Sequence, residues 1–393
     1  MLLRDELEYV LRAWNSYELS RNGPPVIDFD CNPIDEPISE LNRLSSYAKL
    51  VEIRRKAIEE NDSKLIVQVN AHETYLRALM GMHIELDEYV ESTQGCHARG
   101  WPEWYIQEVG KVARQSLEAM GVAWNHKSLQ ELSATEHPIE NEHAADAIEQ
   151  VAKELEITVR NAVGTTAPFK LTVESVDVDA YWDYWTDGVG ESIRVRLNLR
   201  QAHFTEVLAR QFAIHEVLGH GLQAASLARR CASGEHVSWT RVMSVHAPQQ
   251  VAFEGLAQTL PLFILPDDQP LMARVRLDHY IQLVQSTLHV ALGSGSSIES
   301  CAEYAHKHVP YWSDDDIAKM LADRGADPTL RSYLWAYPAG IDWFINLLDS
   351  NYTGVDRVFA ACYQSPLTPM QLASLWPEGP PVGGSGHHAN SII

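Results

Sequence analysis

The chain has no long hydrophobic run. Nowhere do about 18 uncharged apolar residues follow one another, the length a membrane-spanning helix needs, so no span is expected. Arg4, Asp5, Glu6 and Glu8 stand where an export signal needs an apolar stretch, so no signal peptide is expected either. Cysteine is scarce. Cys31, Cys96, Cys231, Cys301 and Cys362 are odd in number, widely spaced and free of any CxxC pair, which argues against a disulfide framework and fits a reduced, cytoplasmic setting. Positive charge is scarce as well: 31 Lys and Arg stand against 53 Asp and Glu, a net charge of −22. That balance argues against nucleic-acid or anionic-membrane partners and is read as a solubility device.

What is present is ordinary globular material, 45% hydrophobic and 21% charged over 393 residues, enough for a large core in one or two domains. Residues 1–165 read as a helical region. An apolar stripe of Leu3, Leu7, Val10, Leu11 and Trp14 ends at Asn22-Gly23-Pro24-Pro25, and Ile38 to Val51 starts a second helix. Leu65 to Val90 predicts one long third helix, and Pro102 at a first helical position with Gly121 beyond the end frames a fourth. Pro138 opens a fifth. After Gly164 the period changes to two: Leu171-Thr172-Val173 and Val176-Asp177-Val178 read as strand, followed by the aromatic group Tyr181, Trp182, Tyr184 and Trp185 and a turn at Asp187-Gly188. Ile193 to Leu199 then alternates apolar residues with Arg194, Arg196 and Asn198. Helices resume, with one expected from Gln249 to Leu260 before Pro261. The expectation is a mainly α-helical α+β fold with a small antiparallel sheet ahead of a metal-binding helix. Residues 166–380 form the metal-binding region, one compact unit with 1–165, and 381–393 form a flexible tail.

That helix carries Ile214-His215-Glu216-Val217-Leu218-Gly219-His220. Two imidazoles are zinc ligands by nature, and a carboxylate beside the first is placed to take a proton from water. In the common HExxH arrangement the histidines lie four residues apart, ~40° around a helix at ~100° per residue. Here they lie five apart, ~140° around, so a regular helix cannot aim both at one ion. Convergence requires a local widening such as a π-bulge, and Gly219 is a residue type that tolerates distortion. The alternative is a pair of hydrogen-bonded core histidines. A third ligand is expected from Glu254, a lone acid in the apolar run Val251-Ala252-Phe253-Glu254-Gly255-Leu256-Ala257-Gln258. The alternative there is an ion pair with an arginine such as Arg241.

His215-Glu216-x-x-Gly219-His220-Gly221-Leu222-Gln223, followed by Phe253-Glu254-Gly255-x-Ala257, resembles the HExxPGHHLQ and EGWA signatures of a bacterial zinc-peptidase-like family known as domain of unknown function 885. Leu288-His289 and Tyr333 to Gly340 are similar to further elements of that family, so the resemblance covers about residues 171–345. The HExxxH spacing is also similar to dipeptidyl peptidase III and to the tubulin-tyrosine carboxypeptidases. The chain departs from the family in being one residue shorter between Glu216 and His220, in Gly221 where the family has a histidine, and in Leu256 where it has tryptophan.

The resemblance implies a gluzincin-type peptidase in a helical, cleft-bearing fold. Zn2+ held by His215, His220 and Glu254 would polarise a scissile carbonyl, Glu216 would serve as general base, and His289, Tyr333 or Tyr337 would stabilise the oxyanion. Each of the last three has an ordinary core role as its alternative. Gln258, one turn after Glu254, either hydrogen-bonds a ligand's far side or faces solvent. By analogy with thermolysin-like sites, Arg194 and Arg196 would meet a substrate carboxylate, against the plainer reading of a solvated strand face. The expected substrate is a short peptide or peptide-like amide. The alternatives are a metalloenzyme acting on a small-molecule metabolite without peptide cleavage, and a non-catalytic binding or scaffold protein.

Overall fold

The computed structural model describes residues 2–179, 183–234 and 237–386. The expected class holds: the chain is mainly helical, with one small sheet. The amino-terminal part contributes α1 (Leu3–Leu19), α2 (Arg43–Glu59), α3 (Ser63–Leu79), α4 (Leu86–Gln94), α5 (Glu103–Ala119), α6 (Ser128–Thr135) and α7 (Ala144–Val163). The single long helix expected over Leu65 to Val90 is two, because Gly81 takes a left-handed φ of +88° that a helix cannot pass through. Pro102 caps α5 instead of opening its first turn.

Five strands follow the order β2-β4-β3-β1-β5, with β1 (Phe29–Asp30), β2 (Lys170–Val176), β3 (Tyr184–Val189), β4 (Ser192–Asn198) and β5 (Val242–Met243). The sheet is mixed where an antiparallel one was expected: β2 with β4 and β1 with β3 run parallel, while β3 with β4 and β1 with β5 run antiparallel. The strand β1, from the amino-terminal region, is what makes the sheet join the two halves of the chain. Asp187 and Gly188 lie inside β3, and the hairpin turns one step later, where Gly190 has φ +59°. Tyr181 and Trp182 lie outside the described residues. Ile193, Val195 and Leu197 of β4 are buried, as the alternation predicts, and Asn198 is buried with them.

From β4 the chain enters α8 (Glu206–Phe212), a π-helical segment (Ala213–Gly221) and α9 (Leu222–Ala232), one continuous helix that carries the His-Glu-His motif. Its start is fixed by Thr205, whose hydroxyl accepts from Leu208 N and donates to the buried Glu136, itself ion-paired with Arg274. The carboxy-terminal part holds α10 (Gln250–Ile264), α11 (Gln269–Gly293), α12 (Ile298–His308), α13 (Asp314–Gly325), α14 (Pro328–Tyr333), α15 (Ala336–Asp349), α16 (Val355–Gln364) and α17 (Pro369–Leu375). The helix α10 runs through Pro261 instead of stopping before it. The largest core cluster gathers α7, the motif helix, α10, α15 and α16, so the motif lies in the middle of the molecule. Residues 381–386, expected as mobile tail, pack back on the loop after α4, where Gly386 N donates to Gly100 O. Among the described residues no helix is long and apolar enough to cross a membrane.

Candidate metal centre

The local widening that the five-residue spacing requires is present: Ala213 to Gly221 is wound as π-helix. A π-turn holds more residues per turn, which brings positions five apart onto one side. His215 Nε2 and His220 Nε2 consequently face each other at 3.1 Å. Gly219 is not there for backbone freedom, as sequence alone suggests. A Cβ at that position would stand 2.8 Å from Ala257 Cβ, so glycine is what lets α10 lie against the widened turn. Gly221 plays the same part toward the sheet, where a Cβ would meet Ile193 at 2.9 Å. Tyr363, on α16, holds the segment from the far side by donating to the Leu218 carbonyl at 2.6 Å.

The helix α10 brings Glu254 to the pair. Its Oε2 lies 3.5 Å from His215 Nε2 and 3.4 Å from His220 Nε2. Arg241, the alternative partner, is committed to Glu8 and Asp5. Gly255, next to Glu254, touches Gly340 of α15, where an added Cβ would stand 2.5 Å from backbone. That approach seats Tyr333 and Tyr337 beside the site. Tyr333 Oη donates to Glu254 Oε1 at 2.5 Å, and because its one proton is spent there, the 2.8 Å contact with Tyr337 is a hydrogen bond donated by Tyr337.

These donors fit a zinc ion. Ligands at ~2.0–2.1 Å around a tetrahedral ion are roughly 3.3–3.4 Å from one another. The triangle His215 Nε2, His220 Nε2 and Glu254 Oε2 has edges of 3.1, 3.5 and 3.4 Å. Glu254 Oε2 is buried and makes no hydrogen bond within ordinary geometry, facing only the two imidazoles at 3.4 and 3.5 Å, so a positive charge at this corner, on a histidine or on a bound cation, would satisfy it. The protein's own charges point the same way. Burial opposes charge on His220, but Glu254 outweighs it and lifts the imidazolium up to about 9. Burial likewise opposes charge on Glu254, yet His220 and His215 hold its carboxyl well below the ordinary range. The carboxylate therefore favours positive charge at this place in spite of burial. Glu216 Oε1 is 3.5 Å from His215 Nε2, and the three motif side chains form a buried group able to ligate a metal.

His215, Glu216 and Tyr337 open onto a cavity of about 250 Å3. Its wall includes Asp278 of α11, whose Oδ2 accepts from Gln211 at 2.6 Å and from Gln258 at 2.8 Å. Burial raises the Asp278 carboxyl above its usual range, partly offset by Arg274 and the Gln211 bond. Gln258 therefore neither faces solvent nor meets the metal ligands from behind; it orients a second carboxylate. Asp278 and Gln211 carry no sequence signal, since nothing local marks them. Asp28 was equally invisible: its Oδ2 is buried without a partner, and burial, then Glu254, push its carboxyl up to about 8.

The remaining candidates lie elsewhere. His289 is 1% exposed, its ring 5.7 Å from that of Trp335, and it does not line the cavity. Arg194 and Arg196 project from β4 to Asp187 of the neighbouring strand, Arg194 with both carboxylate oxygens at 3.0 and 2.7 Å, and neither lines the cavity.

No family model and no curated protein matches the chain. A solved structure of a protein from Colwellia psychrerythraea, provisionally described as a lipoprotein, is similar in fold at 12% identity and a TM-score of 0.50. The likeness covers 86% of this chain and 63% of that one, so this chain spans less than two thirds of its neighbour's length. At that identity the similarity concerns the fold alone.

Proposed function

We propose that the protein is a zinc-dependent hydrolase of the gluzincin kind, cleaving short peptides or a peptide-like amide. The observation that carries this reading is the donor triangle of His215, His220 and Glu254, which has zinc's dimensions and an orphaned carboxylate oxygen at one corner. Zinc bound there supplies a Lewis acid that acidifies water and polarises a carbonyl. Everything else is done by side chains. Glu216, buried and bordering the cavity, takes a proton at its carboxylate and returns it to the departing amine. Tyr337 turns its hydroxyl from Tyr333 toward a developing oxyanion, exchanging one neutral hydrogen bond for one to a charge. Tyr333 keeps Glu254 fixed and ionised throughout. The cavity of about 250 Å3 suits a small or short substrate and excludes a folded protein chain.

Metal analysis of the purified protein, followed by incubation with a mixed peptide and metabolite extract and a search for mass changes, tests the proposal. One zinc per chain and a chelator-sensitive product are expected. Absence of stoichiometric metal ends the reading. Glu216→Gln is expected to retain zinc and lose at least ~100-fold in turnover; full turnover in this variant would remove Glu216 from the role of base.

A further inference from the structure

The cavity beside the metal triangle is charged on one side only. Asp183, Glu216 and Asp278 border it together with His203 and His215, and among the described residues lining it none is a lysine or arginine. Two of the acids are unusual. Glu216 is 6% exposed, lies beside His215 and His220, and makes no hydrogen bond with the described residues. Asp278 has one oxygen, Oδ2, taken by two amide donors, while Oδ1 accepts nothing from the described residues. The nearby cation Arg274, one turn earlier on α11, spends its guanidinium on Glu136. Carboxylates set in a recess are costly, and the partial offset from Arg274 at Asp278 and from His215 at Glu216 leaves room for a ligand that brings positive charge.

The way Asp278 is held ties it to the metal ligands. Gln211 stands four residues before His215 on the motif helix, and Gln258 stands four residues after Glu254 on α10. The two helices that supply the triangle therefore each supply one amide to Asp278, a single turn away, ~6 Å along each axis. Both donors meet one oxygen, which fixes the carboxylate of this cavity-lining residue and leaves its other oxygen without a donor among the described residues. Tyr184, Phe212 and Tyr337 add aromatic wall, which favours a cation over an anion.

We propose that this cavity binds the cationic end of the substrate, with Asp278 as the anchor for an alkylammonium or guanidinium group about one helical turn from the reacting bond. The proposal deepens the hydrolase reading and rests on it for what happens at that bond, but cation binding itself does not need the metal. It assigns the substrate class as basic: a peptide whose free amino terminus or basic side chain enters the cavity, or an amide of a small amine. Arg194 and Arg196, engaged with Asp187, take no part in it.

The test is calorimetric titration of the unaltered protein with n-butylamine, agmatine and, as the uncharged isostere, n-butanol, with zinc content measured on the same samples. Both cations are expected to bind at least ~10-fold tighter than the alcohol, about 1.4 kcal/mol, and Asp278→Asn to bring them level with it. Equal binding of amine and alcohol by the unaltered protein overturns the proposal, and an amine preference that survives Asp278→Asn overturns the anchor. Should that variant fail to fold, a crystal of the unaltered protein soaked in agmatine decides: nitrogen on Asp278 Oδ1 supports the anchor, and nitrogen elsewhere refutes it. Amine preference without stoichiometric zinc would remove the hydrolase reading and leave this one standing. Zinc without amine preference would do the reverse.

Discussion

Two pairs of buried histidines touch ring to ring among the described residues, and they behave in opposite ways. His215 and His220 meet at 3.1 Å in the motif helix, and His72 of α3 meets His246 at 2.9 Å across 174 residues of chain. Separation and burial are nearly the same. The first pair has Glu254 within 3.5 Å of both rings, and His220 is lifted up to about 9. The second has no carboxylate against it among the described residues; its neighbour is Tyr75, stacked on His246 at 3.9 Å, and burial alone drives His72 down to about 3. A histidine pair is therefore not a cation site in itself. The carboxylate makes one pair a candidate ligand set, and the other pair, with none beside it among the described residues, stays as neutral core.

The largest effect should come from removing that carboxylate. Glu254→Gln keeps the size and the Tyr333 contact but makes the first pair resemble the second. Zinc affinity read by competition with a chromophoric chelator is expected to fall at least ~100-fold, in line with the loss of one anionic ligand. His246→Leu, at the other pair, is expected to leave zinc affinity unchanged. Zinc retained by Glu254→Gln, or lost by His246→Leu, breaks the comparison.

The second prediction concerns pH. His72 has its folded pKa pushed down to about 3, so the unfolded chain binds a proton near 6.5 that the folded chain refuses. Stability from this pair is complete above that pH and falls as pH drops below it, by ~1.4 kcal/mol per pH unit per histidine. His220 has the opposite sign, since its folded pKa is raised: in zinc-stripped protein its contribution is complete below about 6.5 and is lost as pH rises toward about 9. Urea melts of His72→Phe against the unaltered protein, between pH 4 and 6.5, should show a flatter slope in the variant. Parallel slopes would mean that His72 is not held neutral.

Next in size is Gly219→Ala. With only 2.8 Å available before Ala257, the methyl must push α10 from the widened turn, at ~1–3 kcal/mol of stability. The displaced partner is the helix of Glu254, so zinc affinity should fall with it. Loss of stability with unchanged zinc affinity would show that α10 yields without moving its ligand.

How much of this was legible in the sequence follows the same local-versus-distant division. The widened helix was readable because His215 and His220 are five residues apart, a spacing whose geometry a regular helix forbids. Glu254 was readable as an acid in an apolar run. Asp278, Asp28 and the His72–His246 pair were not, because their significance comes from segments folded together over 20 residues for Gln258 and Asp278, 174 for the histidines and 226 for Asp28 and Glu254. The mixed sheet was missed for the same reason: β2 pairs in parallel with β4 instead of with its chain neighbour β3, and β1 is only two residues long and has no period to read. His289, a histidine in a familiar-looking context, is turned by its helical face into the core beside Trp335 and does not line the cavity. Gly219 was noticed for its flexibility, whereas only the packed structure shows that room for Ala257 is what it provides.

The smallest effect tests how the near pair is held. The second pair is fixed from two separate segments by the core around them, but the first depends on one irregular stretch of helix and on what supports it. Tyr363 donates to the Leu218 carbonyl inside that stretch, from a fully buried position on α16. Tyr363→Phe leaves the ring in place and removes one buried hydrogen bond, which costs ~1 kcal/mol. Were the bond only a stability contact, thermal unfolding would shift and zinc affinity would not. If it fixes the π-wound turn, part of that cost appears as a zinc affinity lower by roughly 3-fold, while the pH slope from His72 stays as it was. Both observables are read on the same protein, and an unchanged zinc affinity would transfer the task of holding the turn to Gly219 and Ala257 alone.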